Sequence, residues 1–267
     1  MNTSRQIEYR VTLARVTRAE WTKLRSLRST WWLLGVVAAI SIGIGGVVGW
    51  AYEQQIVDGE VIATPAETVG RTFIVLELLG LVIGVLGALQ MSAEYRSGSI
   101  RASLAAVPRR LLLLGAKALA FTALTLPVMV AVCFVTYLTT VAFAPSAATT
   151  LSDPGVARAV LAAGTYPVGL GLLGLAFGTL IRHTAGAITA FVGLLLIAPA
   201  MMMALPNAVQ DHLAPYQPVL AGQAMFILNA GNAEFEVLSP SVGALTLAGW
   251  VVVVLGAAAA VLHRRDA

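Results

Sequence analysis

Hydrophobic positions along this chain do not alternate with polar ones. They form long unbroken runs separated by short polar stretches, at about 31–51, 69–92, 117–143, 157–181, 184–205 and 242–262. A barrel strand would need only about 10 residues with strict alternation. Runs of about 20 apolar residues instead predict helices long enough to cross a bilayer. Helices and closed barrels alone satisfy every backbone N–H and C=O in hydrocarbon. The expected fold class is therefore all-α, a polytopic membrane protein with six transmembrane helices. The first run is too long for a signal-peptide core and ends in "GWAYEQQ" with no small-residue cleavage site. It is expected to stay in the mature protein.

Composition agrees: 58% of residues are hydrophobic and 11% charged, against about 25% charged in soluble domains. The placement of the charges adds an orientation. Residues 1–30 hold Arg5, Arg10, Arg15, Arg18, Lys23, Arg25 and Arg28. The stretch between the second and third runs, with its flank, adds Arg96, Arg101, Arg109, Arg110 and Lys117. Arg182 follows the fourth run, and Arg264 and Arg265 the sixth. Residues 52–68 carry Glu53, Asp58, Glu60 and Glu67, and residues 206–241 carry Asp211, Glu234 and Glu236. Neither loop has a lysine or arginine. Arg71 and Arg158, at the edges of runs, depart from the pattern. The positive-inside rule predicts a multi-pass protein of the cytoplasmic membrane, with both termini in the cytoplasm and residues 206–241 outside. The apolar stretches of that outer segment predict short helices dipping into the interface.

The residues offer little for catalysis. The single cysteine, Cys133, excludes an internal disulfide and a cysteine-built metal site. His183, His212 and His263 sit at run edges or in loops, and no zinc-protease motif or nucleophile elbow is present. No enzymatic activity, cofactor or metal is expected on this chain. "GLGLLG" at 169–174 spells a dinucleotide-binding pattern but lies inside an apolar run without a preceding strand. Close helix packing explains it better, as it does the pairs Gly45/Gly49, Gly80/Gly84 and Gly174/Gly178. The only lysines, Lys23 and Lys117, do not follow a phosphate-binding loop. The net charge of +4 is a matter of topology, and nucleic acid is not an expected partner.

Polar residues interrupt the apolar pattern in three places. Glu77 lies within the second run, as a proton- or substrate-coupling group or as a hydrogen-bonded carboxylate near its outer third. Arg71 is poorly spaced to be its partner. In the N-terminal stretch, Leu13, Val16, Leu24, Leu27 and Trp31 fall within about 80° on a helical wheel. Arg15, Arg18 and Arg25 point away. This predicts an amphipathic helix along the cytoplasmic leaflet, running into the first span with Trp31 and Trp32 at the headgroups. Glu20 projects onto its apolar stripe and requires a partner. The third place is "AEYRSGSIRASLAAVPRR" at 93–110. Gly98 ends or reverses the preceding helix, Ser99 can cap a short one, and Pro108 stops it. Ile100, Leu104 and Val107 give that helix an apolar edge, which calls for a protein partner.

On "AEWTKLRSLRSTWWLL" before the first span, "EYRSGSIRASLAAVPRR" after the second and "LAGQAMF" before the sixth, the chain resembles the ABC type-2 permeases. These are membrane subunits of ABC exporters, related to the membrane domain of ABCG-type exporters. The likeness extends over essentially the whole chain. Its most specific part is the second stretch, similar to an E-Y/F-R-x-G-x-I-R pattern.

The resemblance implies that the segment 94–110 includes a coupling helix docking on a separate ATPase subunit, with Glu94, Tyr95, Arg96, Gly98, Ile100, Arg101 and Leu104 involved. It implies that residues 1–30 are a connecting helix with Glu20, Lys23, Arg25 and Arg28 beside it. Glu20 is then expected to pair with Arg96, Arg101 or a basic group on the ATPase, and Glu94 with an arginine of 18–28. ATP and Mg would sit on the ATPase, and a second permease copy or a related one would complete the pathway. The second and fifth spans would line it, with Phe73, Leu76, Glu77, Phe191 and Leu195 toward an amphipathic or hydrophobic cargo. The rival readings are an ATP-independent secondary transporter or channel using Glu77, and a non-transporting membrane scaffold or sensor.

Overall fold

A computed structural model describes residues 11–107, 109–228 and 237–264. Arg5, Arg10, Pro108, Glu234, Glu236 and Arg265 lie outside the described residues, and with them the expectation that Pro108 ends the short helix. Every regular element among the described residues is helical. In chain order they are α1 (Leu13–Ser26), α2 (Arg28–Val57), α3 (Pro65–Thr72), α4 (Leu76–Ser97), α5 (Ser99–Ala106) and α6 (Arg110–Phe143). Then come α7 (Val156–Ile181), α8 (Thr184–Val192), α9 (Ala198–Met202), α10 (Asn207–Leu213), α11 (Pro218–Ala224) and α12 (Pro240–Arg264). A π-helical turn, Gly193–Ile197, joins α8 to α9 in one span, Thr184–Met202. With α2, α4, α6, α7 and α12 this makes six helices long and apolar enough to cross a membrane.

The centre of the bundle is the α4–α7 pair, held backbone to backbone by glycine. A Cβ on Gly87 would overlap the carbonyl oxygen of Gly171, and one on Gly174 that of Gly84. A Cβ on Gly178 would likewise meet the Ala88 carbonyl. Small residues at such positions let helices approach closely enough for dispersion to hold them where no hydrophobic force acts. The glycines of "GLGLLG" are therefore packing residues. On one side α6 packs on α7, with Gly164 against the Val130 backbone. Beyond it α2 packs on α6, where Ser41 and Thr136 hydroxyls meet at 2.8 Å and Thr140 Oγ1 donates to the Gly45 carbonyl at 3.1 Å. α12 is peripheral: 17% of its most apolar stretch is buried, against 67% for α7.

Two sequence expectations are corrected. The second run does not make one helix from residue 69. Thr64 caps α3 by accepting from the Glu67 amide at 3.1 Å, with Pro65 at the first helical position. Residues 73–75 then turn the chain into α4. The N-terminal helix also does not run into the first span. Leu27 is extended (φ −79°, ψ 110°) and makes a corner between α1 and α2. The Trp31 indole N–H reaches back to the Arg25 carbonyl at 2.9 Å, satisfying an orphan acceptor of α1's last turn. Val16, Glu20 and Leu24 are the buried face of α1, against α6, while Leu13, Leu27 and Trp31 stay exposed.

Candidate functional site

At one end of the bundle, four charged side chains from three helices meet. Lys117 of α6, seven residues beyond that helix's first, is fully buried. Its ammonium lies 2.7 Å from Glu20 Oε2 of α1 and 2.7 Å from Glu94 Oε1 of α4. Both carboxylates are themselves buried. Glu94 Oε1 also accepts from Lys23 of α1, which lies 3.9 Å from Glu20 and is the half-exposed member. The two lysines and two glutamates cancel, so the tetrad is neutral. A buried ammonium costs several kcal/mol unless its geometry is well satisfied. Here two carboxylates supply that satisfaction, and the helices that carry them are tied together as a result.

The short helix α5 stands on this tetrad. Gly98 adopts the left-handed conformation (φ +71°) and reverses the chain between α4 and α5. Ser99 is the first residue of α5 and bonds the Ser97 hydroxyl at 2.9 Å rather than capping the helix. Ser103 Oγ donates to Glu94 Oε2 at 3.4 Å, so α5 is linked to the tetrad directly. Ile100 and Val107 are buried and Leu104 half-buried, all packed against the core of the bundle. The apolar edge of α5 is thus covered by its own chain, which corrects the expectation that it needs a protein partner. The outward face carries Arg101, Ala102, Ala105 and Ala106, with Arg96 next to it. Tyr95 faces the turn between α7 and α8, where the Arg182 guanidinium lies 5.2 Å from its ring centre.

The other expected pairings also differ. Neither Arg96 nor Arg101 meets Glu20, and Glu94 takes lysines where an arginine of 18–28 was expected; Arg25 and Arg28 are exposed. Lys117 was missed as a site residue. One signal for it was present: it is one of two lysines in the chain and interrupts "LLLLGAKALAF". Phe73, Leu76, Phe191 and Leu195 are buried core residues of this chain. Phe73 packs edge-on to Phe226, and Phe191 to Phe177.

Glu77 lies in the first turn of α4, where the helix dipole favours a carboxylate. It accepts from Gln223 of α11 at 3.3 Å. Arg71 is engaged elsewhere, with Glu67 at 2.7 Å and Gln55 at 2.9 Å and its guanidinium over Tyr52. The segment after α9 forms the expected short helices. α11 is wedged between α7 and α12, with Gly222 against the Tyr166 ring and the Ala221 carbonyl against Gly243. Arg158 and Trp250 pin its ends through the Met225 and Tyr216 carbonyls.

Fold and composition together define a multi-pass α-helical membrane protein. No protein-family model matches the sequence, and no curated protein is significantly similar to it. Among the described residues, no group of three or more His, Cys, Asp or Glu is placed to hold a metal ion.

Proposed function

We propose that this chain is the membrane-spanning permease subunit of an ATP-driven ABC exporter, moving an amphipathic or hydrophobic cargo across the cytoplasmic membrane. A separate ATPase subunit carries ATP and Mg, and a second permease copy or a related chain completes the pathway. The observation that supports this reading best is the seating of α5. Its apolar edge is buried in the bundle, Ser103 ties it to Glu94, and Arg101 is left exposed on its outer face beside Arg96. A push on that face reaches α4 directly and reaches α1 and α6 through Lys117. Charge-assisted hydrogen bonds of fixed geometry add directional specificity to these close-packed helix contacts. The six-helix units would then rock against each other, opening a pathway between them to alternate sides. The charge distribution supports placing this end of the bundle in the cytoplasm.

Reconstitution with the co-purifying ATPase tests the proposal. Uptake of a panel of lipophilic drugs and peptides into vesicles should require ATP and collapse when the ATPase's phosphate-binding lysine is replaced. Arg101→Glu, which reverses the exposed charge on α5, should lower drug-stimulated ATP turnover without dispersing the six-helix unit. ATP-independent uptake abolished by Glu77→Gln would replace this reading with a secondary transporter. The Gln223 hydrogen bond and the position of Glu77 at its helix end give that rival little support.

A further inference from the structure

Between the α1–α2 corner and the last three turns of α4 lies a cleft of about 450 Å³. Its deep wall is apolar, formed by Leu33 of α2 with Leu86 and Leu89 of α4. Its mouth, beside the tetrad, is lined by Arg96, Ser97 and Ser99. Gln90 lines the cleft between these two zones, and both its amide oxygen and its amide nitrogen are buried without a hydrogen-bond partner. Buried polar groups left in that state are rare and costly. Arg96 is exposed and has no side-chain partner among the described residues. Because the two lysines and two glutamates of the tetrad cancel, Arg96 leaves the lining with one net positive charge.

The order of these groups along α4 restricts the ligand. Arg96 and Gln90 are six residues apart, about 9 Å along a helix axis, and Leu86 lies a further turn deeper. The required sequence is therefore an anion at the mouth, a hydrogen-bonding carbonyl below it, and an apolar chain below that. We propose that the cleft binds one anionic glycerophospholipid. Its phosphate meets Arg96 with Ser97 and Ser99, the Gln90 side chain turns its closed-off amide into the cleft so that Nε2 donates to an ester carbonyl, and an acyl chain lies against Leu33, Leu86 and Leu89. Cationic pockets between helices at a membrane face suit anionic headgroups in general. The inference goes beyond the transport reading and does not depend on it, since it requires only the membrane.

The test uses the full chain purified in mild detergent with phosphatidylglycerol or phosphatidylcholine, with retained lipid counted by native mass spectrometry. One phosphatidylglycerol per chain should be retained, and phosphatidylcholine much less. Arg96→Ala and Gln90→Leu should each lower retention about tenfold, as expected for losing a charge-assisted or buried hydrogen bond. Gln90→Leu should not lower the melting temperature in lipid-free detergent, because it removes an orphan amide. Arg96 is exposed, so its replacement keeps the test sharp even if Gln90→Leu folds poorly. Arg101→Ala, outside the cleft, should leave retention unchanged. Equal retention in all variants would overturn the proposal, as would equal retention of phosphatidylcholine. A loss as large for Arg101→Ala would make it a general surface-charge effect. Inorganic phosphate raising the melting temperature as much as phosphatidylglycerol would make the site one for a free anion.

Discussion

Replacing Lys117 by Met removes the central cation of the tetrad while nearly keeping its volume. Two N–O contacts of 2.7 Å disappear with it. At an effective dielectric near 20 each is worth about 6 kcal/mol of gross attraction. Most of that is offset by the desolvation of an ammonium with no exposed surface. What remains measurable is the cost of leaving buried carboxylates behind, about 3–5 kcal/mol when one partner of a buried pair is removed.

The two carboxylates should not suffer equally. Glu94 keeps its contact with Lys23, whereas Glu20 retains Lys23 only at 3.9 Å. Adding Glu20→Gln to Lys117→Met should therefore recover more stability than adding Glu94→Gln. Thermal unfolding of the wild type and these three variants in nanodiscs, with reversible unfolding in mixed micelles for the free energies, measures the difference. A loss below about 1 kcal/mol for Lys117→Met would place the pair in the range of surface ion pairs and refute the buried-network argument. So would equal rescue by the two glutamine variants.

Gly174→Ala puts a methyl against the Gly84 carbonyl and should cost about 1–3 kcal/mol as the α4–α7 pair is forced apart. Gly256→Ala, with nothing within 4 Å, is the control that should leave the melting temperature unchanged or slightly raised. Glu77→Gln keeps an acceptor for Gln223, so stability should change by less than about 1 kcal/mol and ATP-driven transport should persist. Loss of transport with unchanged folding would contradict this. In intact cells an impermeant maleimide should label Asp58→Cys, in the loop after α2, but not Ser97→Cys at the opposite end of the bundle. Cys133 is buried and contributes no background. Labelling of Ser97→Cys in intact cells would invert the orientation.

The six helices among the described residues that are long and apolar enough to cross a membrane were legible in the sequence, because a bilayer demands length and apolarity locally, residue run by residue run. The reversal at Gly98 and the short helix after it were legible for the same reason: a missing Cβ and a four-residue apolar spacing act within a few positions. Thr64 and Pro65 carried the start of α3 as plainly, and the apolar run that begins at residue 69, right after them, hid it. Glu20 was recognisable as a charge on the wrong face. Its partner was not, since Lys117 lies 97 residues away and reaches it only after α1 has folded onto α6. The covering of α5's apolar edge and the placement of Phe73 and Phe191 in the core were likewise decided by packing. Amphipathicity states that a face must be buried, and only the tertiary structure decides against what. Contacts between distant segments depend on how helices cross, which at the α4–α7 centre is set by glycine backbones in contact and not by any pattern within a single helix.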